Sequence, residues 1–128
     1  MKRIIAAAAL VMATATHSAE GGEWFAFAVL PDTLRAYENS TGAIQYDAVV
    51  MVSGSSGSGD ARVGVVGCHA GRGQTARVDD DGSPATAPHD WVATRGARRD
   101  QVALSICLLA IRLGVTPAAQ PAPKKGMV

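Results

Sequence analysis

Two cysteines, Cys68 and Cys107, constrain the fold of this chain more than any other feature of its sequence. In an exported protein, an even number of cysteines meets an oxidising compartment, which favours a disulfide. This bond would close a loop of about 39 residues, to which chain entropy assigns a stabilisation of about 4 kcal/mol. We therefore predict a Cys68–Cys107 disulfide with a structural role.

Residues 1–19 have the pattern of a secretory signal peptide. Two basic residues precede the Ala-rich apolar stretch Ile4–Ala15, which is too short to span a bilayer, and small residues follow it. We expect cleavage after Ala19, with Ala13–Ala15 as an alternative site and a buried N-terminal helix as the alternative to a signal peptide. The segment contains no cysteine for an N-terminal lipid anchor, so we expect a periplasmic or secreted protein.

The predicted mature chain is nearly neutral. The full sequence has 12 basic and 11 acidic residues, and removal of Lys2 and Arg3 leaves 10 basic residues and a formal charge of −1. Binding to nucleic-acid phosphates needs a concentrated basic surface, so we expect no nucleic-acid partner. The length suits a single domain, 20–113, followed by a disordered tail, 114–128, and the mature chain has no apolar run that could cross a membrane.

Alternating apolar residues predict short strands in the first part of this domain. The clearest is Ala43–Val52, which places Gln45 and Asp47 on one face and which we expect to begin half exposed and to end more buried. The Gly/Ser-rich segment Ser53–Asp60 predicts a flexible loop that leads to the next strand, Ala61–Cys68, in a long hairpin. The other predicted elements are strands at Trp24–Leu30, Leu34–Tyr37, Thr75–Val78 and Trp91–Thr94, and turns at Glu38–Gly42 and Asp79–Gly82.

Apolar residues at three- and four-residue spacing predict a helix over Arg98–Leu113. Gly114 is well placed to end this helix, because glycine readily adopts the left-handed conformation of a C-cap. Cys107 lies on a flank of small residues, where it can be pressed against a sheet. The predicted apolar face consists of Val102, Ile106, Leu109 and Leu113.

Three residues are candidates for catalysis or metal binding: His69, His89 and Asp90. A small periplasmic hydrolase would use His69 or His89 with Asp90, provided that these side chains converge in a cleft with a nucleophile. Their spacing matches no compact zinc pattern, and the alternative is a solvated histidine. Cys68 and His69 could also suggest a thiol nucleophile with an adjacent histidine. Neighbouring strand residues point to opposite faces, however, so His69 would face away from Cys68. We therefore expect no enzymatic activity, no metal and no cofactor, and keep the hydrolase as the alternative.

Two further patterns have a structural explanation. A partial calcium-loop spacing is formed by Asp79, Asp81, Ser83 and Asp90. Pro84 stands where the sharp turn of such a loop needs glycine, so we expect an acidic surface turn. Trp24 and Trp91 are candidate binding-site aromatics, but we expect them in or beside the core, where large aromatic side chains contribute most.

The sequence resembles the surface-adhesin protein E family of Gram-negative bacteria over residues 24–111. The resemblance rests on the strand Tyr46–Val50, on Ala61-Arg62 leading to Cys68, and on the helix Gln101–Cys107 with its Ala-x-x-Ile-Cys ending. The sequence also resembles the cryptic neisserial protein-like family, through residues that occur in the same order: Gly42, Tyr46, Ser56-Gly57, Cys68, Asp81-Gly82 and Trp91.

This resemblance implies an α+β fold in which an antiparallel sheet packs against a C-terminal helix and is tied to it by Cys68 and Cys107. The implied fold agrees with the strands and the helix predicted from the residues. The resemblance also implies adhesion to host matrix or plasma proteins. We therefore expect an exported, non-enzymatic binding protein whose partner is a host protein or a periplasmic protein.

Overall fold

The computed structural model describes residues 25–54 and 57–117 of the chain. Within them, six strands form one antiparallel sheet, and a C-terminal helix packs on one of its faces. A disulfide between Cys68 and Cys107 links the strand region to the helix. The predicted α+β architecture is therefore confirmed, together with its helix-to-sheet bond.

The sheet has the order β1-β3-β4-β5-β6, and β2 pairs with β3 on the same side as β1. A short 3-10 helix, Pro31–Thr33, lies between β1 and β2, so the two strands pair with different halves of β3. The elements are β1 (Phe25–Val29), β2 (Arg35–Glu38), β3 (Ile44–Gly54), β4 (Gly57–Val66), β5 (Arg72–Arg77), β6 (His89–Val92) and α1 (Arg98–Leu113).

The long hairpin of β3 and β4 extends further than its sequence predicts. Its ladder runs without interruption from the Gln45–Val66 pair to the Gly54–Gly57 pair. The prediction of a flexible loop over Ser53–Asp60 is therefore wrong for the described part of that segment. Strand propensity depends on neighbouring strands, and β1 adds a third strand by pairing with Val50–Gly54.

Alternate residues of β3 face the helix and form the centre of the core. Trp91 packs in the same core, fully buried, and its indole N–H donates to the carbonyl of Val66 at 3.0 Å. This confirms the expected packing role of Trp91, whereas Trp24 lies outside the described residues. The buried core residues are Ala36, Tyr46, Ala48, Val50, Val65, Trp91, Val102, Ala103, Ile106, Cys107 and Ala110.

The burial of β3 runs opposite to the expected direction. Gln45 and Asp47, near its start, are fully buried, whereas Met51 and Val52, near its end, are 45% and 37% exposed. The start is buried because the turn Asp79–Gly82 covers the face away from the helix, as the bond from Gln45 to the Gly82 carbonyl shows.

The helix has the predicted bounds, and Gly114 ends it in the left-handed conformation with φ of 70°. The buried stripe of the helix is rotated by about 60° from the predicted apolar face, if each residue advances by about 100°. It includes the small residues Ala103, Cys107 and Ala110, because they allow the helix to approach the sheet closely. Leu113, predicted for the apolar face, is consequently 51% exposed. The buried residues of the helix are Asp100, Val102, Ala103, Ile106, Cys107 and Ala110.

The predicted signal peptide lies outside the described residues, as does the predicted tail after Pro117. Val115, just beyond the helix, packs against the core, and its N–H donates to the Ala110 carbonyl at 3.0 Å. In the part of the chain that the structure describes, no helix is long and apolar enough to cross a membrane.

Candidate functional site

The disulfide joins a turn of the sheet to the buried face of the helix. Cys68 follows β4, Cys107 is buried on α1, and their Cα atoms are 5.4 Å apart. Both sulfur atoms are therefore bonded, and no cysteine of the described residues is a free thiol. Cys68 and Cys107 hold the helix against the sheet and offer no nucleophile in this state.

A tight connection between β4 and β5 positions Cys68. Gly67 has φ of 102°, and its carbonyl accepts the N–H of Gly71 at 3.0 Å. A Cβ on Gly67 would lie 2.0 Å from the carbonyl oxygen of Arg72, and a Cβ on Gly73 would lie 2.0 Å from that of Val66. Glycine at both positions lets the two strands turn this closely and brings Cys68 under the helix.

The structure does not bring the candidate histidines together. The ring of His69 makes an edge contact with Tyr46 of β3, with 6.4 Å between ring centroids. His89 lies on β6, and its row of the sheet passes through Thr75 and Val65 to Tyr46. His89 is thus three strand spacings from Tyr46, or about 14 Å.

Asp90 also lies apart from the imidazole that precedes it. His89 and Asp90 are consecutive residues of a strand, so their side chains point to opposite faces of the sheet. The carboxylate of Asp90 is exposed and pairs with Arg95 at 3.2 Å. The hydrolase alternative therefore receives no geometric support from these residues.

The acidic turn Asp79–Gly82 is held by its own hydrogen bonds. The Asp81 carboxylate accepts the N–H of Ser83 at 2.9 Å and its hydroxyl at 2.6 Å, and the N–H of Gly82 donates to the Asp79 carbonyl. Among the described residues, no group of three or more histidine, cysteine or acidic side chains is arranged to hold a metal ion.

A buried charge network, which the sequence analysis missed, lies on the sheet face away from the helix. Asp47 is fully buried, and its Oδ1 accepts hydrogen bonds from Arg35 Nε and Arg62 Nη1, both at 2.7 Å. Its Oδ2 accepts the hydroxyl of Tyr37 at 2.7 Å. Two guanidinium groups and a phenol thus compensate the cost of burying this carboxylate.

The charge network also attaches the acidic turn to the sheet. Arg35 donates to the carbonyl of Asp80 at 2.6 Å, and Gln45 donates both to the Tyr37 hydroxyl at 2.7 Å and to the Gly82 carbonyl at 3.2 Å. Burial, together with the hydrogen bond to Asp47, raises the pKa of the Tyr37 phenol above its usual value. Both oxygens of Asp47 are occupied by protein donors, which gives this cluster a structural role.

One signal in the sequence could have revealed the network. Arg35 and Tyr37 alternate on one strand, Gln45 and Asp47 alternate on the next, and the turn between the strands fixes their register. In that register Arg35 lies directly opposite Asp47. A polar pair on facing positions is a stabilising cross-strand contact.

Asp100 organises the start of the helix. It is 1% exposed, and its carboxylate accepts the N–H groups of Val92 at 2.8 Å and Ala97 at 3.0 Å. Hydrogen bonding to Arg95 is the main reason that the pKa of Asp100 is lowered, and the two backbone bonds act in the same direction. Asp100 therefore caps the helix and ties its first turn to β6.

An open groove of about 460 Å³ lies on the helix side of the sheet, beside the first turns of α1. Its floor is apolar and consists of the sheet residues Val50, Val52, Ala61 and Val63, with Val102 of the helix. Its other lining residues include the cationic or titratable Arg77, Arg98, Arg99 and His89, and one acid, Asp60. Apolar floors with a few polar groups are typical of binding sites, and this volume lies within their usual range.

Comparisons of the chain with protein-family models, with curated proteins and with solved structures found no match. The resemblance to the surface-adhesin protein E family and to the cryptic neisserial protein-like family therefore stays a prediction. The candidate surface of this chain rests on its own geometry, which combines the groove with the adjoining end of the β3–β4 hairpin.

Proposed function

We propose that this chain is an exported, non-enzymatic binding protein that acts through protein–protein interaction, by adhesion to a host protein or by binding a periplasmic partner. The signal-like residues 1–19 support export. The Cys68–Cys107 disulfide is compatible with an extracytoplasmic location, because such bonds persist in oxidising compartments.

The observation that carries this proposal is the exposed end of the β3–β4 hairpin. Its side chains Met51 and Val52 are solvent-exposed on opposite faces of the sheet, and Val52 also lines the groove. Scattered exposed apolar residues need no explanation, but here they adjoin an apolar groove at one end of the molecule. Exposed apolar surface rimmed by polar residues is typical of protein-binding sites.

A pull-down experiment with the oxidised, exported protein tests this proposal. The immobilised protein should retain a specific macromolecule from a periplasmic extract or from host serum, and mass spectrometry should identify it. The double variant Met51→Ser, Val52→Thr should lose most of that retention, because it removes the apolar contacts of the hairpin end.

The matched control is Leu108→Ser. Leu108 is 57% exposed, like the hairpin residues, but lies on the helix. This variant should retain the macromolecule as the parent does. Failure of the parent protein to retain any macromolecule, or equal retention by the hairpin variant, would contradict the proposal.

A further inference from the structure

The outer edge of β4 is open over its first half. β5 pairs with β4 only over Val63–Val66, and the last bond along this edge runs from the N–H of Val78 to the carbonyl of Arg62 at 2.9 Å. The chain then turns at Asp79–Gly82 over the face that carries the charge network. Within residues 25–54 and 57–117, no strand pairs with the outer edge of Gly57–Ala61.

The register shows which backbone groups lie on this edge. The N–H and C=O of Val49 bond away from β4, to Thr33 and Leu30, so the even-numbered residues of β3 face β4. In the uninterrupted antiparallel ladder, odd-numbered residues of β4 then bond to β3 and even-numbered residues face outward. The backbone N–H and C=O of Ser58 and Asp60 therefore point away from the sheet.

The faces of the sheet are uncovered at the two glycines of this half of β4. A Cβ built on Gly57 or on Gly59 would meet no atom within 4 Å. Glycine inside a strand is typical of places where a second backbone approaches closely. A strand added to this edge would continue the line of β5, beside the groove.

The charge of the groove selects among such strands. Arg77 pairs with Val63 at the end of β5, so an added strand would begin next to its guanidinium. Arg98 and Arg99 line the groove from the first turn of the helix, where Arg99 also lies 3.9 Å from the carboxylate of Asp90. Asp60 also lines the groove, but it pairs with Met51, so its side chain points to the other face of the sheet. Because alternate residues of a strand share a face, acidic side chains at every second position would meet this cationic lining.

From these observations we infer that the open edge of β4 and the adjoining groove bind an extended acidic segment of a partner protein by strand addition. Backbone hydrogen bonds to Ser58 and Asp60 provide the pairing, and the arginines select acidic side chains. This inference rests on the proposed function, since it names the mode of binding and the chemistry of the partner.

A labelled peptide of alternating glutamate and valine, with capped ends, is the probe, and fluorescence anisotropy measures its binding. The oxidised protein should bind it more tightly than a peptide of alternating lysine and valine. Added salt should weaken binding, because exposed charges are screened. Replacement of Arg77 by alanine should weaken binding several-fold.

Two substitutions of the same residue isolate the backbone contribution. Asp60→Pro removes an outward N–H while leaving the ladder to β3 intact, as edge positions tolerate proline. It should weaken binding by roughly ten-fold or more, a loss of about 1.4 kcal/mol. Asp60→Asn keeps the N–H and removes an opposing charge, so it should bind the peptide at least as tightly as the parent.

N-methylated peptides give a second measurement that leaves the protein unchanged. Two peptides are compared, each methylated on one of the two alternating sets of backbone nitrogens. The peptide whose methylated nitrogens face β4 should not bind, whereas the peptide whose methylated nitrogens face away from β4 should bind. Equal binding of the two peptides, or unchanged binding by Asp60→Pro, would overturn strand addition even if the protein retains a partner in the pull-down. A parent protein that binds no peptide at millimolar concentration would overturn the inference.

Self-association is the remaining outcome. If sedimentation shows a dimer that Asp60→Pro dissociates, the open edge pairs with a second copy of the chain and the inferred acidic partner is wrong. Retention of no macromolecule in the pull-down would instead remove the proposed function itself, so the two failures are distinguishable.

Discussion

Asp47 shows how strongly one residue depends on its partners. Its carboxylate is fully buried, and burial of this charge would destabilise the folded state without the guanidinium groups of Arg35 and Arg62. Arg35 also donates to the Asp80 carbonyl in the acidic turn, and the Tyr37 hydroxyl accepts a hydrogen bond from Gln45. The effect of Asp47 therefore extends beyond its own strand. At this scale the sheet face away from the helix is stabilised by satisfied charges, since its apolar cluster is small.

Removal of this carboxylate should therefore destabilise the fold. We expect Asp47→Ala to lower the free energy of unfolding by about 3 kcal/mol, because it leaves two arginines and a phenol without their shared acceptor. Urea denaturation measures the loss. The control Asp32→Ala, at an exposed carboxylate, should stay within about 0.5 kcal/mol of the parent, and an equal effect of the two substitutions would refute the role of Asp47.

Tyr37 gives the stability a dependence on alkaline pH. Its pKa is raised in the folded protein by burial and by the bond to Asp47, so the neutral phenol stabilises the fold. The contribution is complete below the unfolded pKa of about 10 and is lost as the pH rises from there through the folded pKa. The free energy of unfolding should fall more steeply above about pH 10 in the parent than in Tyr37→Phe, and parallel curves would contradict this assignment.

The helix and the sheet are joined at the scale of elements by one covalent bond. Cys107 lies in the buried stripe with Ala103 and Ala110, and Cys68 is held by the turn at Gly67. These small residues let the helix lie close to the sheet, and the disulfide fixes that position. Stability therefore depends on the bond as well as on the apolar core.

The double substitution Cys68→Ala, Cys107→Ala should lower the free energy of unfolding by up to about 4 kcal/mol, the chain-entropy value for this loop. Urea denaturation of the oxidised parent and of the variant gives the difference. Mass spectrometry of the exported protein without reductant supplies the control, since the parent should be lighter than its reduced form by two hydrogens. Two thiols that react freely with an alkylating reagent would contradict the bond.

Local signals explain what the sequence could predict at this scale. The helix bounds follow from periodicity and from Gly114, and the two faces of β3 follow from simple alternation. Non-local contacts explain what it could not. Burial of Gln45 depends on a turn 37 residues away in the chain, and the strand character of Ser53 and Gly54 depends on pairing with β1. For the candidate site, the sequence indicated only single lining residues such as His89. It could not predict the groove itself, because the groove forms where distant strands and the helix meet.

At the scale of the whole molecule, one end of the sheet is packed beneath the helix and the other end is accessible to solvent. The disulfide, the charge network and the core secure the sheet beneath the helix, whereas the β3–β4 hairpin exposes Met51 and Val52 at the other end. Within residues 25–54 and 57–117, no strand pairs with the first half of the outer edge of β4, which lies at this accessible end next to the groove with its arginines. The central claim is that this edge is open and available to a partner.

Amide hydrogen exchange of the monomeric, oxidised protein tests that claim most directly. Along β4 we predict alternation: the N–H groups of Gly59 and Ala61, bonded to β3, exchange slowly, whereas those of Ser58 and Asp60 exchange within about ten-fold of the unstructured rate. Addition of the acidic peptide should slow exchange at Ser58 and Asp60. Slow exchange at these two residues in the free monomer would show that the edge is already paired and would contradict the account.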